Sequence, residues 1–134
     1  MTSELPRERV ADAPRFDIPA RPTRAYTRLG DVETDGQTRF LLRPKVEEAA
    51  VRDWVNGVLA ADRYTYGDWF ELPYPVYLVH DSVVATVFRT AIRAPRVELH
   101  VLPETKPAGL EAFYRKLVEV SDIEWTVAVE TTIE

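Results

Sequence analysis

The sequence predicts an α+β domain: a mostly antiparallel sheet with two amphipathic helices packed on one face, preceded by an extended N-terminal arm. Three observations carry this. Leu110, Phe113, Tyr114, Leu117 and Val118 fill the i, i+3, i+4, i+7, i+8 template of a helix with one apolar stripe. Ile123, Trp125, Val127 and Val129 alternate with Glu124, Thr126, Ala128 and Glu130, the period of a strand. Four of the ten prolines (Pro6, Pro14, Pro19, Pro22) fall in the first 22 residues, where fixed φ and missing N–H groups oppose regular structure.

The elements follow in order. Residues 1–23 read as the arm, and 24–134 as a single domain. Its apolar residues Leu5, Val10, Phe16 and Ile18 are too sparse for a core of their own but suit docking on a neighbouring surface. Residues 26–32 and 37–43 are expected to form a hairpin around Asp35-Gly36, a common turn dipeptide. Pro44 is expected to open a helix over 45–61, with Val46, Ala50, Trp54 and Val58 at four-residue steps. An aromatic loop follows at 62–73, holding Tyr64, Tyr66, Trp69 and Phe70. Strands are expected at 74–79, 83–93 and 96–102, the first two joined by a turn at His80-Asp81-Ser82. In the third, Val97, Leu99 and Val101 alternate with Glu98 and His100, which implies one wet face. Thr105 and Pro107 start the second helix, and 123–133 closes the sheet.

Composition narrows the function. Within 134 residues there is no cysteine, which removes disulfides, thiolate metal sites and thiol nucleophiles. No apolar run reaches the roughly 20 residues that span a bilayer, and the N-terminus lacks a signal-peptide core, so no membrane partner and an intracellular location are expected. The balance of 17 basic and 22 acidic residues gives a net charge of -5, unsuited to gripping a phosphate backbone through overall charge.

Candidate chemistry is thin. Asp31-Val32-Glu33-Thr34-Asp35-Gly36 opens like a calcium loop, but its twelfth position is Leu42 where a bidentate glutamate belongs. Glu98 and His100 share one face of a strand and offer two metal ligands, with no third fixed by the sequence. Ser82 beside His80-Asp81 is not a triad, because adjacent side chains diverge and no G-x-S-x-G is present. The five glycines form no phosphate-cradling loop. No catalytic residue, metal ligand or cofactor site is therefore assigned, and a non-enzyme is expected.

The aromatic segment reads as a cap on the core or as an interface, with a ligand pocket behind both. In the arm, six arginines of residues 1–30 are interleaved with Glu4, Glu8, Asp12 and Asp17, a mixture that suits protein more than nucleic acid, although Arg24 and Arg28 flank Tyr26. The interface candidates are Arg7, Arg9, Phe16, Ile18, Arg21 and Arg24 in the arm, with Tyr64, Tyr66, Trp69 and Phe70 in the loop.

One resemblance emerges over residues 45–134. A helix, Val46-Glu47-Glu48-Ala49-Ala50-Val51-Arg52-Asp53-Trp54-Val55, leads through a loop to the strand Leu72-Pro73-Tyr74-Pro75-Val76-Tyr77-Leu78-Val79. A hairpin, the strand Arg96-Val97-Glu98-Leu99-His100-Val101, a second helix and an alternating strand follow. This order resembles the tail terminator and tail-completion proteins of long-tailed viruses. The resemblance implies a structural subunit of a virion, assembled in the host cytoplasm as a ring, typically a hexamer. Such a ring caps the tail tube, joins the head-proximal connector and lets DNA pass without specific binding. The alternative from another class is a small cytosolic binding module, chaperone-like or immunity-type, that sequesters one protein partner.

Overall fold

The computed structural model of the chain describes residues 15–21, 23–26, 32–35, 37–46, 50–70 and 74–132. The element order is β1 (Thr23–Tyr26), β2 (Val32–Asp35), β3 (Gln37–Pro44), α1 (Val51–Leu59), β4 (Tyr64–Phe70), β5 (Val76–Asp81), β6 (Thr86–Arg93), β7 (Arg96–His100), α2 (Pro107–Ser121) and β8 (Trp125–Thr132). Six strands form one antiparallel sheet in the order β4-β5-β6-β7-β3-β8, while β1 and β2 pair separately. Both helices bury their apolar stripes in the same core, so this is an α+β fold with one helical layer.

The core follows from the two periodicities. Phe40 and Leu42 of β3, Val97 and Leu99 of β7, Phe88 of β6 and Val79 of β5 all point to the helices and are buried. Val51, Val55, Val58 and Leu59 of α1 and Leu110, Phe113 and Leu117 of α2 close over them. Phe113 is the hinge of this packing, meeting Phe88 and Tyr64 edge-on at centroid distances of 5.6 and 6.1 Å.

Several expectations are corrected. Pro44 does not open a helix: it ends β3, paired with Trp125 of β8. The hairpin across Asp35-Gly36 is absent, because β2 pairs with β1 while β3 inserts between β7 and β8. Burial of Phe40 and Leu42 is worth more in the six-stranded sheet than beside a short partner. Helix α1 starts at Val51, later than expected; residues 47–49 lie outside the described ones. The segment 62–73 is not simply a loop, since Tyr64–Phe70 forms the edge strand β4, with a register shift between Asp68 and Phe70. The turn after β5 also moves: His80 and Asp81 are strand residues.

The last turn before α2 is built by tertiary contacts. Thr105 Oγ1 accepts from the Leu102 N–H (2.7 Å) and donates to the Val87 carbonyl (2.5 Å). Thr86 Oγ1 accepts from the Lys106 N–H (2.7 Å), which caps a helix start lacking a cap of its own. Gly109, one turn in, presses against Thr86 so closely that a Cβ would overlap its methyl.

The described end of the arm is not a free tail. Phe16 is buried in the core, with its ring centroid 5.0 Å from Phe40 and 5.6 Å from Tyr114. Thr38 Oγ1 donates to the Ala20 carbonyl (2.7 Å), and Arg21 Nη1 donates to the carbonyls of Pro103 (3.0 Å) and Thr105 (2.6 Å). Residues 15–21 thus belong physically to the domain rather than to an arm ending at 23.

Candidate functional site

Strands β3, β6 and β7 turn their other face away from the helices, and its centre is Glu98. Directly across from it stand Leu41 of β3 and Ala91 of β6, neither able to answer a charge. The answer comes from the rows on either side. One row runs across three strands as Arg39, His100 and Arg89; the other is the pair Arg93 and Arg96 flanking the β6–β7 turn. The small Ala91 leaves room for their side chains to lean over the carboxylate.

The Glu98 side chain is 0% exposed although no helix covers it. Arg96 donates from Nε to Oε2 at 2.9 Å and approaches with Nη2 at 2.7 Å. Arg93 Nη1 donates to the same oxygen at 3.4 Å, Arg39 Nη1 lies 3.8 Å from Oε1, and His100 Nε2 is 2.9 Å from Oε1. The arginine side chains remain 27–39% exposed, so they form a cationic roof with one anion beneath it. The expected wet face is therefore corrected at this position: Glu98 is an interior residue, and its shell is made of arginine stems.

The electrostatics follow. Burial pushes the Glu98 carboxyl up, but the hydrogen bonds from His100 and Arg96, with the charge of Arg96, outweigh it and hold the group below its ordinary value. Burial pulls His100 down, opposed by Glu98 and assisted by Arg39 and Arg89. A neutral imidazole carrying its proton on Nε2 fits both: it donates to Oε1 and adds no further positive charge.

At the turn end of this face, Arg43, Val46, Tyr74, Ile92, Arg93 and Arg96 border a groove of about 930 Å³. The Arg93 guanidinium lies 4.7 Å from the centroid of the Tyr74 ring, a cation–π contact that fixes its direction. On the helix-covered face, in line with Val79, Asp81 is buried and grips Arg63, which donates from Nε (3.1 Å) and Nη2 (2.8 Å), while the Val83 N–H donates to Oδ1 (2.9 Å). That second ion pair closes the β5–β6 connection and faces no groove of comparable size.

The candidate interface residues scatter. Arg7 and Arg9 lie outside the described residues, as do the side chains of Arg24 in β1 and of Trp69 and Phe70 in β4. Phe16 and Ile18 pack on the core of their own domain, and Arg21, exposed, donates to the Pro103 and Thr105 carbonyls. Tyr64 is buried against Phe113, as a core cap; only Tyr66, 45% exposed and edge-on to Tyr77 at 5.6 Å, faces outward. Glu98 and His100 do come together, but their neighbours are arginines, and no third His, Asp or Glu joins them among the described residues.

The arginine roof was missed from sequence. Arg39, Arg89, Arg93 and Arg96 are spread over 58 positions and only strand pairing joins them. No protein-family model matches the chain, and no curated protein or solved structure is detectably similar to it.

Proposed function

We propose that this chain is a non-enzymatic subunit that acts by association, of the tail-terminator and tail-completion kind its element order resembles. In that role it packs with copies of itself in a ring at the end of a tail tube, next to a head-proximal connector. The observation that carries the reading is the sheet itself. It is helix-covered on one side only, and β8 pairs with β3 alone, which leaves its outer edge free among the described strands. An open edge and an open face are two different surfaces, and a closed ring requires two different surfaces to meet.

The fastening of residues 15–21 onto their own core favours a second reading, the sequestering module. A domain that completes its core with its own N-terminal segment has no need of a neighbour for that purpose. Absolute mass by light scattering, over a range of concentration and salt, separates the two. A discrete ring of several subunits supports the first, and a monomer or dimer at all concentrations supports the second.

A further inference from the structure

We infer that the groove beside the arginine roof is a docking site for an acidic, extended segment of a partner protein. Arg43 and Arg93 would take its carboxylates and Tyr74 an apolar or aromatic anchor. The inference goes beyond the association reading by fixing the chemistry of the partner.

Charge complementarity carries it. The chain as a whole has a net charge of -5, yet this end of the sheet gathers Arg43, Arg93 and Arg96, with one buried carboxylate for balance. Glu98 holds Arg93 and Arg96 in place before any ligand arrives, which reduces the side-chain ordering that binding must bring about. Arg43, exposed and on the groove wall, supplies a further cation. Arginine guanidinium groups pair with carboxylates in a planar, two-pronged geometry.

Shape selects the kind of ligand. The groove is broad and open, so it would leave a small molecule largely in water. Its accessible apolar parts, Val46 and Tyr74, lie among the arginines, which matches a chain segment with acidic and apolar residues interleaved.

The test is selection of random dodecapeptides displayed on phage by the full chain, followed by fluorescence polarisation of the synthetic consensus. The expected result is a consensus rich in Asp and Glu with an aromatic or apolar residue, binding more weakly as salt rises. Arg43→Glu, at a side chain that is not among those bonded to Glu98, and Tyr74→Ala are each expected to weaken it about tenfold or more. The melting of Arg43→Glu should stay close to that of the parent chain, whereas Tyr74→Ala, which also removes the ring beside Arg93, should melt earlier. A consensus without acidic bias, or affinity unmoved by both variants, overturns the proposal. So does displacement of the peptide by a single-stranded oligonucleotide or pyrophosphate at lower concentration than by the peptide itself. If Arg43→Glu instead changes the mass in solution, the groove is a contact between copies and the proposal also fails. A monomer that binds acidic peptides would remove the ring and keep the groove, so the two readings fail separately.

Discussion

His100 Nε2 lies 2.9 Å from Glu98 Oε1, two residues back on the same strand, and the two together form the only acid–imidazole contact among the described residues. Their geometry makes the sheet sensitive to acid. Glu98 is held below its ordinary carboxyl value, so its contribution is complete above about pH 4.5 and is lost as pH falls through the lower folded value. His100 is held below its ordinary 6.5, so the unfolded chain takes up the proton first and stability declines as pH drops beneath 6.5. Both act in the same direction. Denaturant titrations across pH should show stability falling from 6.5 downward, and His100→Gln should flatten the upper part of that fall.

Glu98→Ala should cost about 3 kcal/mol, the lower end for breaking a buried pair, because the arginines left behind are still partly solvated. The loss should shrink when Arg96 is changed to Gln in the same chain, since fewer uncompensated charges then remain. Equal losses in the single and double variants would disprove a charge-balancing role for Glu98.

Tyr64 offers the opposite pH behaviour. Burial pushes its hydroxyl up to about 12, and that hydroxyl has no hydrogen-bond partner among the described residues. The unfolded chain therefore ionises first, and stability should fall as pH rises from 10 toward 12, by about 2–3 kcal/mol in total. Tyr64→Phe should abolish this alkaline loss and raise stability at neutral pH by about 1 kcal/mol, because an unsatisfied buried group is removed. A chemical melt at pH 7 and pH 11 checks both.

Gly109→Ala gains about 1 kcal/mol of helix propensity but drives a methyl into Thr86, and overpacking of this kind costs about 1–3 kcal/mol. Thr86→Ser removes the offending methyl and keeps the oxygen that accepts from the Lys106 N–H. The double variant should therefore be more stable than Gly109→Ala alone, measured as a rise in melting temperature.

Phe16→Ala should destabilise by about 3–5 kcal/mol, as for any large aromatic removed from a core. A chain lacking residues 1–21 should melt at least as early, because it loses Phe16, the Ala20 carbonyl and Arg21 together. A truncated chain with unchanged melting would show that this segment rests on the domain without supporting it.

Long, strongly periodic segments were legible in the sequence. The apolar stripe of α2 and the alternation of β7 and β8 each landed within two or three residues of their place. What misled was local punctuation. Pro44 and Asp35-Gly36 have genuine helix-start and hairpin character, yet tertiary pairing of β3 with β7 and β8 overrode both. The site was harder still. Glu98 and His100 were visible as neighbours on one face, but a sequence does not reveal that arginines from three strands will roof a carboxylate and turn a wet face dry. Phe16 shows the same limit: a lone apolar residue among prolines carries no period, and only the shape of the core makes room for it.

The position of β3 between β7 and β8 also orders events during synthesis. Residues 45–124 separate it from β8, so β3 leaves the ribosome long before that partner exists. At typical elongation rates the wait is on the order of 4–16 s. Until α1, β7 and α2 follow, Phe40 and Leu42 lack their covering layer, and until β8 follows one edge of β3 stays open to pair with whatever comes first. Synthesis that ends before residue 125 would leave a chain whose penultimate strand is still an edge, which makes completion of β8 the step that turns a sticky polypeptide into a finished sheet.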